Sequence, residues 1–400
     1  MNVIATERAG VREAETDCVA RARALRPLIE AASPRIEAER ALPSDLLAAM
    51  HEAGIFRTLL PRAYGGAEVD PATFAQVTEA VAMGDGSAAW VVGQGSGCSM
   101  TAAYLAPAVA RDVFGPANAV LAWGFGPNGK AVRCEGGYRV TGKWSFASGS
   151  RHATWLGGHC IPCAPDGTPL ADATGMAAER TVLFPRDRAD IVDDWQVMGL
   201  RGTGSDTYSV RDLFVPEAYA AGRDSDADRR EAGTLYKFSG QNLYSIGFAG
   251  VALGLARAML DAFLALARQK TPQSLSRALC ESPVIQSETG RAVARLGGAR
   301  AQLLQVARDV YAALTPADTY ITLDQRIEIR MATTFAIQEA RDVAAFVWQE
   351  AGSTAIFEKN PFERRFRDLH AVTQQAQGRS HHFETVGAHV LGQPVAGRFL

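Results

Sequence analysis

The chain has 400 residues, enough for two or three domains rather than one core. Hydrophobic residues make up 47% and charged residues 21%, which excludes disordered and fibrous classes. The formal net charge of -2 gives no reason to expect nucleic acid or an anionic membrane as partner, since both attract a clustered basic excess. No uninterrupted apolar run reaches the roughly 18 residues of a membrane span, and residues 1–23 have no signal-peptide pattern. We therefore expect a cytoplasmic protein.

Residues 1–118 are predicted to form a helical domain. Leu42-Pro-Ser-Asp45 is typical of a helix start, and Asp70-Pro71 is a second one, because Asp can cap free N–H groups and Pro is tolerated in the first turn. Phe74, Val77 and Val81 follow at helical spacing and predict one buried face.

Residues 119–225 are predicted to form strands. The segments 131–134 and 138–141 flank Glu135-Gly-Gly137, which is a hairpin signal, and the segments 180–184 and 208–215 are further candidate strands. Short strands without long intervening helices favour an antiparallel barrel or sandwich over a parallel sheet.

Residues 226–400 are predicted to form a four-helix bundle, which makes the fold class α+β. Two apolar sets repeat at heptad-like spacing, as expected for near-antiparallel packing: Phe248, Val251, Leu255, Ala258, Ala262 and Leu296, Ala299, Leu303, Val306, Val310. A third helix is predicted over residues 324–350.

Two short motifs suggest cofactor or metal sites that their surroundings do not support. Gly124–Gly129 matches G-x-G-x-x-G, but a hairpin follows where a dinucleotide fold needs a helix, so we reject a Rossmann site. Cys160 and Cys163, beside His159, lack a second pair of ligands at zinc spacing, and we predict no metal site.

A more specific signal comes from four segments taken together. They are residues 60–66 (Leu-Pro-Arg-Ala-Tyr-Gly-Gly), 144–150 (Trp-Ser-Phe-Ala-Ser-Gly-Ser), 195–205 (Trp to Ser, with Gly-Leu-Arg-Gly-Thr-Gly-Ser at the end) and 362–368 (Phe-Glu-Arg-Arg-Phe-Arg-Asp). In this order, on a helix–strand–helix background, the chain resembles the acyl-CoA dehydrogenase superfamily from about Leu42 to Gly392. The segments 146–149, 199–205 and 366–371 are most similar to its flavin-dependent, two-component monooxygenase branch, which includes phenol and steroid hydroxylases and dibenzothiophene monooxygenases.

The resemblance implies a homotetramer that takes reduced flavin (FMNH2 or FADH2) from a separate reductase and uses O2 as co-substrate. It implies that Ser148 lies near flavin N5 and that Trp144 contacts the ring. Alternatively, Trp144 packs in the barrel core and Ser148 caps a turn.

Further cofactor contacts are implied in two other places. Arg201, Thr203 and Ser205 occupy a Gly-rich loop suited to a polar rim beside a ring, unless the loop is an ordinary strand connection. Arg268 and Gln286 occupy positions that face the cofactor's phosphates across a subunit interface in the superfamily, and Gly352 belongs to a turn approaching the same phosphates. The alternative is that Arg268 and Gln286 are surface residues.

The chain departs from both family patterns at the catalytic positions. Acyl-CoA dehydrogenation needs a carboxylate base, and residues 370–377 contain none. The monooxygenases often have a His about where Gln375 stands and another about where Cys98 stands. His370, His381 or His382 could take over, because an imidazole titrates near neutral pH.

We therefore expect a flavin-dependent monooxygenase of a small aromatic or heteroatom-containing substrate, with Ser148, Gln375, His370 and Cys98 as the candidate catalytic residues. An FAD-dependent dehydrogenase of acyl thioesters is the alternative. A binding protein that kept the fold and lost the redox chemistry is a third reading.

Overall fold

The structure is a computed structural model, and it describes residues 17–171, 178–223, 228–273 and 276–395. Helices come first, strands occupy the middle, and helices return after residue 240, in the predicted order. After a helical segment at 17–24, the N-terminal helices are α1 (Arg26–Glu39), α2 (Ser44–Glu52), α3 (Pro71–Ala82), α4 (Gly86–Ser99) and α5 (Pro107–Phe114).

The helix starts predicted in the N-terminal part are confirmed. Asp70 caps α3, where its Oδ1 accepts hydrogen bonds from the N–H groups of Ala72 (2.7 Å) and Thr73 (3.0 Å). Asp85 caps α4 in the same way and accepts from the N–H of Ala88 (3.0 Å). These caps fix where α4 begins, and α4 forms one wall of the site described below.

The middle of the chain forms one curved eight-stranded sheet in the order β6-β7-β3-β2-β4-β5-β8, with β1 paired to β4. The strands are β1 (Leu121–Trp123), β2 (Gly129–Cys134), β3 (Gly137–Trp144), β4 (Trp155–Cys163), β5 (Arg180–Pro185), β6 (Asp190–Val192), β7 (Thr207–Pro216) and β8 (Ala220–Ala221).

The predicted β2–β3 hairpin is confirmed, but the expectation of a purely antiparallel sheet is wrong. β4 pairs in parallel with both β1 and β2. The β2–β3 hairpin lies between β1 and β4 in the sequence, and β4 then runs in the same direction as β1 and β2. Local sequence signals identify a hairpin, whereas the pairing partner of β4 depends on the tertiary fold.

The C-terminal helices are α6 (Gly240–Ala267), α7 (Pro283–Ala313), α8 (Leu323–Ala351), α9 (Glu363–Gln374) and α10 (His382–Val390). Both heptad-spaced sets lie on long helices, α6 and α7, with all of their residues buried or partly buried. α9 packs against α6 and α8 and completes the four-helix bundle, while α10 lies against α8.

Glycines on α6 let it approach α3 closely. A Cβ at Gly250 or Gly254 would overlap the backbone carbonyl of Ala75 or Glu79, and Thr78 Oγ1 donates to the carbonyl of Gly247 (2.9 Å). The N- and C-terminal helical regions consequently share one hydrophobic core, and a smaller second core lies inside the curved sheet.

Helix α6 is also long and apolar enough to cross a membrane by length and composition, with a mean hydropathy of 1.7 over its most apolar 18 residues. No uninterrupted apolar run of that length is visible in the sequence, because Arg257 and Asp261 interrupt the apolar residues of α6. Within the structure 67% of that window is buried, and its partners are α3 and α8, so α6 is the central helix of the core.

The two rejected motifs lie on the sheet. Gly124–Gly129 connects β1 to β2, and no helix follows it. Cys160 and Cys163 are buried, unbridged residues of β4. Within the described residues, no group of three His, Cys, Asp or Glu side chains is placed to hold a metal ion.

Candidate active site

A chain of buried hydroxyl groups lies where two loops of the sheet region meet α4. Ser148 Oγ is 2.8 Å from Ser205 Oγ, which is 2.7 Å from Thr203 Oγ1. Trp90 Nε1, on α4, donates to Ser148 Oγ at 3.0 Å. Ser148, Thr203 and Ser205, predicted from two separate segments, are thus brought together, and Trp90 joins them.

The hydrogen-bond partners fix the direction of this chain. Thr203 Oγ1 donates its one hydrogen to the carbonyl of Leu200 (2.8 Å), so it accepts from Ser205. Ser205 in turn accepts from Ser148. Ser148 Oγ therefore accepts from Trp90, donates to Ser205 and keeps one lone pair for a further donor.

Close packing holds the loop of residues 199–205 in place. A Cβ at Gly199 would overlap the carbonyl of Arg367, and one at Gly202 would overlap Ile36. Leu200 takes a left-handed conformation with φ of 54°, which is uncommon for a residue with a Cβ. The loop therefore needs glycine at positions 199 and 202 for close packing, in addition to the hydroxyl groups that it carries.

Leu200 also connects the hydroxyl chain to a buried carboxyl group. Its N–H donates to Asp368 Oδ1 at 2.6 Å. Burial, followed by the nearby charge of Asp85, raises the pKa of Asp368 to about 7. Asp368 is thus engaged in holding the loop and faces no open space, being 1% exposed.

One face of α4 and one face of α6 form an aromatic wall next to Ser148. Trp90 and Phe248 stack at 3.8 Å between ring centroids, and Tyr244 stacks on Phe248 at 5.8 Å. Tyr244 Oη lies 3.4 Å from Cys98 Sγ, which also accepts from Gln94 Nε2 at 3.5 Å.

Sequence reasoning missed Trp90, Phe248 and Tyr244 as site residues. A signal was present, because Trp90, Gln94 and Cys98 are spaced by four and so share a helix face. Their contact with α6 could not be read from spacing.

An exposed apolar surface borders the same loops. Phe125, Phe146 and Met198 are 65%, 66% and 59% exposed. Phe146 has a φ of 62° and contacts Trp195 edge-on at 5.9 Å. Phe125 N–H donates to the carbonyl of Ser145 (3.0 Å), which joins its loop to that of Phe146. Exposed large apolar groups clustered beside buried donors and acceptors are typical of a binding surface.

Trp144 is corrected from a flavin contact to a residue of the sheet's interior. Its ring is 0% exposed, its Nε1 donates to the carbonyl of His159 (2.9 Å), and Tyr208 stacks on it at 5.3 Å. Gly129, Gly142 and Gly158 leave the space that the indole fills. Strand alternation puts Trp144 inside, whereas Phe146, beyond the end of β3, points outward.

Cys98 is a buried residue of the aromatic wall, and its predicted catalytic role stays a prediction. Burial raises the pKa of its thiol to about 12, so the thiol stays protonated at neutral pH.

His370 and Gln375 lie on and just after α9. Burial lowers the pKa of His370, whose ring contacts Phe366 at 4.3 Å. His370 Nε2 and Gln375 Nε2 are buried without a hydrogen-bond partner among the described residues, while Gln375 Oε1 accepts from the N–H of Gln377 (2.6 Å). Among the residues that the structure describes, no hydrogen bond joins either of them to Ser148, and their predicted catalytic roles stay predictions.

The two other alternative histidines, His381 and His382, are neighbours at the start of α10. His382 Nε2 lies 2.7 Å from the carbonyl of Ala376, and burial lowers its pKa to about 4. The His381 ring lies tilted against that of His382, with 4.3 Å between the ring centroids. His381 also lines an open groove of about 530 Å³ with Gln338, Arg341, Thr373, Gln374, Arg379 and Ser380.

Arg201 lies beside the hydroxyl chain in sequence but pairs outward. Its Nε is 3.7 Å from Glu37 Oε1, and its side chain is 41% exposed. This geometry matches the alternative of a partly solvated arginine.

The predicted phosphate-binding residues lie far from Ser148 in the same chain. Arg268 follows the last turn of α6, 20 residues after Phe248, which corresponds to about 30 Å along the helix. Lys270 Nζ donates to the carbonyl of Ala351 (2.6 Å) and so brings the Gly352 turn to the same end of the bundle. Gln286 is exposed there on α7. The roles of Arg268, Gln286 and Gly352 at a cofactor stay predictions.

Comparisons with known proteins match this fold along its length. The family described as "Acyl-CoA dehydrogenase, N-terminal domain" matches residues 19–110, and "Acyl-CoA dehydrogenase, C-terminal domain" matches residues 246–379. The chain belongs to the acyl-CoA dehydrogenase family, and its similarity is to the flavin-dependent monooxygenases of that family.

The individual relatives are full-length matches. A pigment production hydroxylase of Rhodococcus erythropolis is 30% identical, covering 85% of this chain and 88% of the relative. An indole-3-acetate monooxygenase of Pseudomonas putida is 28% identical, covering 90% of each. The structure of XiaF from a Streptomyces species, in complex with FADH2 and glycerol, has a TM-score of 0.89 and 25% identity, covering 99% of this chain and 100% of that one. Other relatives are described as the oxygenase subunit or component of flavin-dependent hydroxylases.

Proposed function

We propose that this protein is the oxygenase component of a two-component, flavin-dependent monooxygenase that oxidises an aromatic substrate with O2. The single observation that supports it most is the directed hydroxyl chain, which leaves an acceptor lone pair on Ser148 at a surface bordered by Phe125 and Phe146. Reduced flavin is a flat ring with an N–H at N5, and an acceptor beside an apolar surface suits that edge.

The residues of this chain fit such a ring and define what each would do. Ser148 would accept from N5–H, while Trp90 and Ser205 hold its hydroxyl in that orientation. Phe146 and Met198 would cover the ring and exclude water. When bound, reduced flavin supplies the electrons that activate O2.

The aromatic wall of Trp90, Phe248 and Tyr244 supports an aromatic substrate. Flat rings stack favourably on such a wall, and Gln94 adds one hydrogen-bonding amide. The neutral Cys98 thiol adds no charge.

A separate reductase, cytoplasmic location and a homotetramer complete the proposal. The long distance from Ser148 to Arg268 supports subunits that complete each other's flavin sites. The exposed Val284 and Val293 on α7, 70% and 44% exposed, are apolar groups that a neighbouring subunit would cover. Light scattering at micromolar concentration should give about four times the 42.7 kDa chain mass, and a monomer would contradict the assembly.

The dehydrogenase alternative lacks a carboxylate base at the position where many family members carry one. Residues 369–377 contain no carboxylate, and Asp368 is buried against the loop at Leu200. We therefore prefer oxygenation to dehydrogenation as the reaction of this protein.

The test is rapid mixing of the protein and reduced FAD or FMN with O2. We expect O2 consumption to precede the appearance of oxidised flavin by a measurable lag, because the site holds the oxygenated state before peroxide is released. Free reduced flavin under the same conditions is the control. Equal kinetics with and without saturating protein would contradict the proposal.

A further inference from the structure

Arg223 is a partly buried cation that forms no ion pair with a carboxylate in the part of the chain that the structure describes. Its Nε donates to Thr181 Oγ1 at 3.0 Å, and its guanidinium carbon lies 4.5 Å from the centre of the Trp123 ring. Among the described residues, neither of its terminal nitrogens has a hydrogen-bond partner and no Asp or Glu forms an ion pair with it. Arg223 therefore has donors available for an anion.

The surroundings hold Arg223 rigidly. Thr181 Oγ1 also lies 2.8 Å from His159 Nδ1, and the His159 ring meets Trp123 edge-on at 5.0 Å. Burial lowers the pKa of His159 well below its usual value, so His159 is neutral and adds no competing charge. The guanidinium is therefore fixed on one side by stacking and by one hydrogen bond, with its terminal fork left over.

The terminal nitrogens point toward the far end of the aromatic wall. A Cβ at Gly240 would lie 3.6 Å from one terminal nitrogen of Arg223 and 3.9 Å from Tyr244 Cε2, so the guanidinium and the Tyr244 ring are neighbours. Tyr244 contacts Cys98, which lies eight residues after Trp90 on α4. Eight residues of helix span about 12 Å. Ser148, which contacts Trp90, and Arg223, which lies near Tyr244 beside Cys98, are therefore separated by a distance of that order along the wall.

We propose that the substrate is an aromatic acid, whose ring lies along the wall of Trp90, Phe248 and Tyr244 and whose carboxylate is bound by Arg223. This rests on the proposed function, since the wall leads to Ser148. The chemistry is specific: a planar guanidinium with two free donors matches a carboxylate, and the uncharged Gln94 and Cys98 leave the rest of the wall suited to an apolar ring. A length of about 12 Å accommodates the reacting oxygen, one or two fused rings and a short acidic side chain.

The test compares acids with their uncharged amides as probes. The pairs are indole-3-acetate with indole-3-acetamide and phenylacetate with phenylacetamide, titrated calorimetrically into the full-length protein. We expect the wild type to bind at least one acid roughly tenfold or more tightly than its amide, as a charge-assisted bond provides. Arg223→Gln should lose that preference with amide binding unchanged, and Arg223→Lys should recover part of it.

Arg139→Gln is the matched control, since Arg139 also lies over an aromatic ring, Phe214 at 5.9 Å, on the outer surface of the sheet. Arg139→Gln should keep the preference for the acid. Equal binding of acid and amide by the wild type, binding of neither, or an unchanged preference in Arg223→Gln would overturn the inference.

Turnover with reduced flavin separates this inference from the proposed function. Arg223→Gln should raise KM for the acid by the same factor as Kd while kcat changes little. If the protein shows the predicted lag after O2 mixing but no preference for the acid, the proposed function is supported and the aromatic-acid inference is contradicted. A protein with the acid preference but no lag loses the function and retains an aromatic-acid site.

Discussion

Removing the Ser148 hydroxyl tests both its structural role in the hydroxyl chain and its proposed role at the flavin. In Ser148→Ala, Trp90 Nε1 and Ser205 Oγ each lose a partner, and these residues are only 8% and 3% exposed. A buried polar group left without a partner costs about 1–3 kcal/mol. We therefore expect the free energy of unfolding to fall by about 2 kcal/mol, measured by urea denaturation.

The same substitution should weaken the hold on the flavin's N5 edge. One hydrogen bond is worth on the order of 1 kcal/mol or somewhat more in a dry pocket, which corresponds to a roughly tenfold change in rate. Rapid mixing with reduced flavin and O2 should show a lag shortened about tenfold and correspondingly faster release of H2O2.

Ser150→Ala is the matched control. Ser150 is 0% exposed in the same segment, and its Oγ donates to the carbonyl of Gly204 (3.0 Å) without joining the hydroxyl chain. It should cost similar stability and leave the lag unchanged. If Ser148→Ala loses stability while keeping a wild-type lag and intact flavin binding, Ser148 is a structural serine and the reasoning fails.

Three further predictions follow from separate parts of the molecule. Gly254→Ala should lower the free energy of unfolding by about 2 kcal/mol, because the new Cβ would lie 2.7 Å from that of Ala82 across the α3–α6 contact. Gly387→Ala on α10 is the control and should be neutral or stabilising, because nothing lies within 4 Å of the new Cβ. Equal effects of the two substitutions in denaturant titrations would contradict the close packing. Burial lowers the pKa of His152 to about 4, so the unfolded chain binds a proton at this histidine before the folded chain does as the pH falls from about 6.5 to 4. The free energy of unfolding should therefore drop by at most about 2 kcal/mol between pH 7 and 5, and His152→Gln should reduce that drop. An identical pH profile in the variant would show that His152 is not the cause. Butyryl-CoA and octanoyl-CoA should not bleach protein-bound oxidised flavin anaerobically, since residues 369–377 contain no carboxylate base. Bleaching would restore the dehydrogenase alternative.

Much of the architecture was determined by local pattern. Asp70-Pro71 and the heptad spacing on α6 and α7 reflect backbone capping and side-chain periodicity, which act within a few turns and are therefore readable from the sequence. Ser148, Thr203 and Ser205 were predicted by resemblance of their Gly-rich, hydroxyl-bearing segments to a family, and their roles at a flavin stay predictions. Their mutual contact was not predicted.

Tertiary structure decided which side chains share a space and which way each one points. Trp144 and Phe146 are two residues apart in one motif, yet the end of β3 and a left-handed residue put the first inside the sheet and the second in solvent. Trp90 reaches Ser148 only because Asp85 fixes the start of α4 and glycines draw α6 toward α3. Arg223 gained its meaning in the same way, since its contacts with Thr181 and Trp123 join residues that are far apart in the sequence.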